Sequence, residues 1–375
     1  MNKSLNSLGL MSGTSGDGVD ASIINSDGKG YYKVLINEYF EYTDDISQNI
    51  YNLKSNINKL EDIKKFSIEI NDLERKITLF HSNVVLECIK NNDFVIDLIG
   101  FHGQTILHSP IDKYSKQLGD GKLLSQLSKK KVIYNFRQND LLKGGEGAPL
   151  SPIFHHLVVK EKKIELPVCI LNIGGISNLT LIKDLNEENL ISKDIGPGNC
   201  LIDEWMRRNK KGNYDKNGEL AYAGKTDKLI LNQALEDYEN IPNKNINSFD
   251  VNDFEINFLR GLDLKDGAST ITDFTGKIIA SKLSREILKS SQKISKVILC
   301  GGGRKNKTLI EIIKLNINQT MKFETTDDYG LNGDFVESQA FAYLAIRSFL
   351  KLPISFPNTT GCKIPATGGV YAKNF

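Results

Sequence analysis

Residues 8–24 read LGLMSGTSGDGVDASII, and their interpretation decides the fold. Within this short span lie Gly9, Gly13, Gly16 and Gly18, the hydroxyl residues Ser12, Thr14, Ser15 and Ser22, and the aspartates Asp17 and Asp20, with apolar residues on both sides. Apolar, β-branched runs flanking a polar glycine-rich segment spell strand, loop, strand. The chain continues ASIINSDGKGYYKVLINEYF, where Ser26, Asp27 and Gly28 signal a hairpin between two β-rich runs. Glycine has no Cβ, so a loop of this kind can turn backbone N–H groups toward a bound anion, and hydroxyls add donors. Asp17 or Asp20 could then hold Mg²⁺, directly or through water. The competing interpretation is a tight turn, which glycine and aspartate also favour.

Three more glycine-rich loops follow apolar strands: Gly174-Gly175, residues 196–198 and residues 301–303. Four such loops point to a nucleotide clamped between two domains. Strand–glycine loop–strand occurs near residue 10 and again near residue 173, which suits a duplicated α/β fold with a cleft between its halves. Between these landmarks, residues 46–92 carry Leu60, Ile63, Phe66, Ile70, Leu73, Ile77 and Phe80 at helical spacing. GGEGAPLSP is a candidate hinge, residues 212–250 suggest loops and a short helix, and FVESQAFAYLAIRSFLK suggests an amphipathic helix. Two familiar phosphate motifs fail. GGGRKNKT has Asn306 where a P-loop needs its second glycine, and GDGVDA is followed by strand-forming residues where a dinucleotide fingerprint opens a helix.

The chain has 375 residues, 40% hydrophobic and 25% charged, with a formal net charge of +2. That is enough for two domains with a sizeable core, and it gives no reason to expect nucleic acid as a partner. No apolar run nears the ~20 residues that span a bilayer, and no signal-peptide core follows Lys3, so no membrane role is expected. Cys88, Cys169, Cys200, Cys300 and Cys362 form no CxxC pair, which suits a reducing, cytoplasmic setting. Neither His102 with His108 nor His155 with His156 makes a metal set.

Laid in order, the motifs resemble the anhydro-N-acetylmuramic acid kinase family: GLMSGTSGDGVD (9–20), GFHGQTILHSP (100–110), FRQNDLLKGGEGAPLSP (136–152), LNIGGISNLT (171–180), DIGPGNCLIDEW (194–205), DGASTITDFT (266–275), CGGGRKNKTL (300–309), TTDDYG (325–330), VESQAFAYLA (336–345) and TTGCKIPATGGVY (359–371). The resemblance covers nearly the whole chain. It implies an α/β fold of the sugar kinase, heat-shock ATPase and actin superfamily, with two domains and an interdomain cleft. The expected boundaries are 1–135 plus 362–375 for the first domain and 136–361 for the second. It implies ATP and Mg²⁺ as cofactors, an amino sugar as substrate, and room for a homodimer. In the implied reaction water opens 1,6-anhydro-N-acetylmuramic acid and the freed 6-oxygen takes the γ-phosphoryl group, in recycling of cell-wall sugars.

By the same resemblance, Asp194 is the base that activates water; a loop aspartate bonding the backbone of residues 196–199 is the plainer alternative. Gly13, Thr14, Ser15, Gly16, Asp17, Gly18, Val19 and Asp20 hold phosphates and metal, with Asp17 the metal ligand. Gly174, Gly175, Gly301, Gly302, Gly303 and Asn306 approach the nucleotide. His102, Gln104, Thr105, Gly196, Pro197, Gly198 and Asn199 line the sugar side, although His102 could equally be a satisfied structural histidine. Glu337 faces the sugar or the water, or else forms a helix-capping pair with Asp334. Trp205 reads more simply as the buried face of a helix than as a sugar platform. The chain departs from the family pattern at Gly16, at Ile195 and over residues 241–255. Other assignments consistent with the residues are a kinase of another sugar, a non-catalytic sugar or nucleotide sensor, and a nicotinamide dehydrogenase.

Overall fold

The computed structural model describes residues 4–92, 95–240, 254–290, 292–317 and 320–375. In chain order the strands and helices begin with β1 (Leu5–Met11), β2 (Gly18–Ser26), β3 (Tyr32–Glu41), α1 (Asp44–Asn56), α2 (Leu60–Lys65), α3 (Ser67–Lys90), β4 (Leu98–Ser109), β5 (Tyr114–Leu118), α4 (Gly121–Ser128), β6 (Lys131–Tyr134), α5 (Gln138–Leu142) and α6 (Pro152–Glu161). They continue with β7 (Val168–Ile173), β8 (Ile176–Ile182), β9 (Ile191–Pro197), α7 (Cys200–Arg208), α8 (Glu219–Ala223), α9 (Lys228–Glu239), α10 (Leu264–Leu288), β10 (Lys296–Cys300), α11 (Lys307–Asn316), β11 (Lys322–Thr325), α12 (Val336–Phe349), α13 (Pro357–Thr360) and β12 (Val370–Ala372).

Two compact units result. Unit 1 comprises Met1–Glu165, Leu185–Ile191 and Phe335–Phe375, and unit 2 comprises Leu166–Asp184 and Ser192–Asp334. The boundaries differ from those expected, because residues 136–165, 185–191 and 335–361 go with the first unit. The reason is a cluster of long-range hydrogen bonds. The buried Asp140 carboxylate accepts from Gly147 N (2.8 Å), Ser355 Oγ (2.5 Å) and Thr360 Oγ1 (2.7 Å), and Glu146 N donates to Thr360 O. The expected hinge GGEGAPLSP is thereby tied down within unit 1.

The sheet of unit 1 runs β12-β6-β4-β1-β2-β3, with β5 hairpinned to β4. β1, β2 and β3 are antiparallel neighbours, while β4 lies parallel to both β1 and β6. The sheet of unit 2 runs β11-β10-β7-β8-β9, with β7 and β8 antiparallel and β10 parallel to both β7 and β11. Each unit therefore repeats one plan: three consecutive strands, then a helical crossover to a strand parallel to the first, then another beyond it. The chain is α/β with a duplicated topology, as the two strand–glycine loop–strand segments led us to expect.

Alternation along β1 assigns its two faces. Leu8 and Leu10 join Val19, Ala21 and Ile23 of β2 in a core with Ile46, Ile50 and Leu53 of α1 and Ile70, Leu73 and Ile77 of α3. Each such side chain contributes roughly 1.5–3 kcal/mol on burial, so this face fixes the register. Gly9 faces the other way and is the register partner of Gly100 on β4. A Cβ at Gly9 would lie 1.9 Å from Ser338 O, and one at Gly100 would lie 2.2 Å from Phe341 O. The two glycines form a flat seat on which α12 rests backbone to backbone.

That helix is buried almost all round, from Val336 to Arg347, rather than amphipathic. It lies against the sheet on one side and α6 on another, leaving little solvent-facing surface. Its polar side chains are accordingly bonded. Ser338 Oγ meets Ser22 Oγ at 2.7 Å, Gln339 bonds Tyr32 and Asn37, and Arg347 forks onto Glu187 at 2.9 and 2.6 Å. The helix expected over 46–92 is instead three helices, because the Asp62 carboxylate accepts from Asn58 N and Lys59 N and restarts the chain at α2. In unit 2, residues 212–250 hold the 12-residue α9 as well as shorter helices, while residues 241–253, most of the stretch that departs from the family pattern, lie outside the described residues. Trp205 packs on Gly267 and donates from Nε1 to Leu264 O at 2.9 Å, so it anchors α7 to α10. All five cysteines are buried thiols. No helix among the described residues is long and apolar enough to cross a membrane.

Gly9→Ala should cost about 3 kcal/mol or more, since backbone rather than a mobile side chain must yield; a urea midpoint equal to wild type would contradict the seat. Burial holds His81 and His155 neutral, with pKa values lowered to about 4, and burial with Arg137 nearby lowers His108 to about 3. Unfolded histidine titrates near 6.5, so the unfolded chain binds more protons below that pH. Stability should be complete above pH 6.5 and fall steadily toward pH 4. Urea titrations followed by far-UV circular dichroism at several pH values check this.

Candidate functional site

In unit 1 the glycine loop leaves β1 at Met11 and enters β2 at Gly18. Its base is rigid. Ser12 Oγ meets Tyr42 OH at 2.7 Å and His81 Nε2 at 3.3 Å, and Tyr42 N donates to Asp17 O at 2.8 Å. Gly16 N bonds Gly13 O, and Gly16 has a φ of +66°. A Cβ at Gly16 would meet Ile50 Cγ2 at 2.8 Å, so Ile50 occupies the space that a large apolar residue would need here. The tip is open: Thr14 and Ser15 are exposed, and a Cβ at Gly13 would meet only Ser15 Oγ, at 3.8 Å. Ser15 Oγ donates to Asp17 Oδ1 at 2.7 Å and orients that carboxylate. Val19 is fully buried in the core, so its side chain is not available to a ligand; Asp20 is half-buried on β2.

β4 brings a second segment to the same end of the sheet, with Gly103 opposite Met11. Gln104 is buried and donates from Nε2 to Gly13 O at 3.1 Å. Its Oε1 is buried with no hydrogen-bond partner. The amide orientation follows from the loop, since a carbonyl oxygen in place of Nε2 would oppose Gly13 O. His102 accepts at Nε2 from Arg137 Nη2 (2.9 Å) and donates from Nδ1 to Gly103 O (2.7 Å). A guanidinium can only donate, which fixes this tautomer, and burial keeps the ring neutral. His102 is thus the satisfied structural histidine, and Arg137, to which the sequence assigned no role, is held by it and by Gly147 O. Thr105 accepts from Gln117 Nε2 at 3.3 Å across the β4–β5 hairpin.

The direction of α12 places Glu337. Gly9 sits against Ser338 and Ala342, whereas Gly28, beyond the end of β2, sits near Ile346 and Leu350. Because β2 is antiparallel to β1, the helix runs opposite to β1, and its first turn lies at the end that carries the glycine loop. Glu337 is half-buried there. Phe335 precedes the helix without a side-chain cap, and the Asp334 carboxylate binds Arg304 and Lys305.

In unit 2 three segments converge at the carboxyl ends of parallel strands, where open α/β sheets bind their ligands. Gly198 N and Cys200 N donate to Gly175 O, and Asn199 N donates to Gly174 O at 2.8 Å. A Cβ at Gly198 would lie 2.2 Å from Gly174 O, one at Gly301 2.4 Å from Asn172 Oδ1, and one at Gly303 2.2 Å from Ile173 Cγ2. These glycines let backbones meet. Gly174 and Gly302 keep an open side, with nothing nearer than 3.5 and 3.8 Å. Asp194 lies within β9, half-buried, ahead of Ile195 in the core and of the buried Gly196 and Pro197. Asn306 caps α11 through Leu309 N and abuts Gly218, a structural post. Arg304 is also committed, bonding Asp327, Asp334 and Gly301 O, which pins the loop at residues 301–303.

Among the described residues no group of three or more histidine, cysteine, aspartate or glutamate side chains could hold a metal alone. An oriented, part-exposed Asp17 fits the Mg²⁺ pattern of one carboxylate plus substrate phosphates and water.

The sequence pattern of the anhydro-N-acetylmuramic acid kinase family matches residues 6–373. A protein of Pelagibacter ubique named anhydro-N-acetylmuramic acid kinase is 53% identical over 375 residues, covering 100% of both chains. Relatives of that name from Zymomonas mobilis, 36% identical with 96% of this chain and 98% of theirs covered, and from Brucella canis, 35% identical with 97% of both, also match. This chain belongs to the anhydro-N-acetylmuramic acid kinase family.

Proposed function

We propose that the chain is an ATP-dependent kinase that hydrolytically opens 1,6-anhydro-N-acetylmuramic acid and phosphorylates its 6-oxygen, giving N-acetylmuramic acid 6-phosphate in cell-wall sugar recycling. The observation that carries this reading is the meeting, in unit 2, of the strand bearing Asp194 with glycine turns whose open sides admit a ligand to the backbone. Asp194 takes a proton from water as its oxygen bonds to the anomeric carbon. The bond from that carbon to O6 breaks, O6 bonds to the γ-phosphorus in line, and ADP leaves. The tip of the first loop binds phosphate oxygens through backbone N–H groups and hydroxyls. A Mg²⁺ held by Asp17 would neutralise charge on the β- and γ-phosphoryl oxygens.

Gln104 reads the sugar. Its buried Oε1 lacks a donor, and a phosphate oxygen cannot supply one, so it suits a hydroxyl or amide N–H of the acceptor. Glu337, at the same end of unit 1, faces the sugar or the water. A second reading, a kinase of a related sugar, is favoured only by the departure from the family pattern over residues 241–255.

Transfer of labelled γ-phosphate to 1,6-anhydro-N-acetylmuramic acid with Mg²⁺, with the product resolved as the 6-phosphate, tests the function. ATP binding without transfer to this sugar would turn the assignment to another acceptor. Asp194→Asn should lower kcat about a hundredfold to ten-thousandfold with ATP affinity unchanged; full turnover would remove it as the base. Gln104→Leu should raise the sugar KM about tenfold, the worth of one such hydrogen bond, beyond any change in the ATP KM that follows from losing the bond to Gly13 O.

A further inference from the structure

The last register pair of β1 with β2 is Met11 with Asp20, so residues 12–19 project beyond the ladder. One residue grips two of them. Tyr42 follows β3, and its backbone N donates to Asp17 O at 2.8 Å. Its side chain passes β2 toward the end of β1, where its hydroxyl meets Ser12 Oγ at 2.7 Å. Neighbouring strands lie about 4.8 Å apart, so β3 and β1 are about 10 Å apart, a gap suited to a rigid ring with a polar tip. Tyr42 is 4% exposed and stands edge-on to Phe80 at 4.9 Å, which fixes the ring. Gly13, Thr14, Ser15 and Gly16 lie between the two ties.

The far end of this chain of bonds settles its proton order. His81 is fully buried, and its Nδ1 lies 2.8 Å from Ile77 O, which can only accept. Burial keeps the ring neutral, so its one proton is on Nδ1 and Nε2 is an acceptor. Ser12 therefore donates to His81 Nε2, at 3.3 Å, and accepts from Tyr42. The Ser12 hydroxyl is spent on the base of the loop and has no proton left for a phosphate oxygen.

We propose that Tyr42, backed by Ser12 and His81, is a positioning residue for phosphoryl transfer: its two ties set the spread of the loop, and with it the direction of the N–H groups at the tip and of the Asp17 carboxylate. The proposal rests on the loop being the phosphate site. Donors fixed before the ligand arrives bind it more tightly, because ordering them on binding costs affinity. Gln104 and Ile50 bear on the interior of the loop, at Gly13 O and beside Gly16, whereas Tyr42 governs its width.

The test is calorimetric titration of the full chain with a non-hydrolysable ATP analogue and Mg²⁺. Tyr42→Phe keeps the ring and leaves Ser12 bonded to His81, so no buried polar atom loses its last partner. Val84→Ala is the control: it trims a buried side chain three residues further along α3 and touches none of these bonds. Tyr42→Phe should weaken the analogue about tenfold, the worth of one hydrogen bond, raise the ATP KM similarly and leave the sugar KM at the wild-type value. Val84→Ala should lower the melting temperature at least as far as Tyr42→Phe does, yet bind the analogue as wild type does. Wild-type affinity in Tyr42→Phe, an equal loss in Val84→Ala, or an equal rise in the sugar KM would overturn the role of Tyr42 while the phosphate site stood. No binding of the analogue by wild type would remove both.

Discussion

The seat formed by Gly9 and Gly100 is the constraint on which the order of unit 1 rests. With no Cβ on either of two register partners, α12 comes to backbone contact with the sheet, and any side chain there would displace it. From that seat follow the placement of Glu337 at the loop end, the contact of Phe341 with His102 at 4.4 Å, and the fork of Arg347 onto Glu187 near the other end. His102 then fixes Arg137, and Gln104, two residues on, holds Gly13. One packing decision thus reaches the glycine loop through a ring contact and a few hydrogen bonds.

Unit 2 uses glycine for a related purpose. Gly198, Gly301 and Gly303 are places where one backbone or side chain crosses another at distances no Cβ allows. The N–H groups of Gly198, Asn199 and Cys200 are already spent on the Gly174-Gly175 turn. They shape the site rather than serve an anion directly. Only where a glycine keeps an open side, as at Gly174 and Gly302, can a ligand come up to the chain.

Much of this was legible in the sequence. Strand–glycine loop–strand fixed the element order because alternation and turn chemistry are local properties, and the recurrence near residue 173 revealed the duplication. Partner choice is not local, and there the sequence was mute. Asp334 and Glu337 have capping spacing, yet Arg304 and Lys305, thirty residues upstream, claim Asp334. Val19 belongs to a phosphate motif but points into the core, because β2 has already begun at Gly18. FVESQAFAYLAIRSFLK has helical periodicity, but no pattern reveals that α6 covers the face left over by the sheet. Asp140 gave no sign of tying three segments together, since Ser355 and Thr360 lie more than two hundred residues away.

The central chemical claim is that water adds to the sugar and the sugar's own 6-oxygen carries the phosphoryl group. Reaction in water enriched in ¹⁸O, quenched early and followed by mass spectrometry of the product and by phosphorus NMR, tests it directly. The account predicts label at the anomeric hydroxyl and none in the phosphate ester. Label in the phosphoryl group would mean that water attacks phosphorus, and the role given to Asp194 would fall.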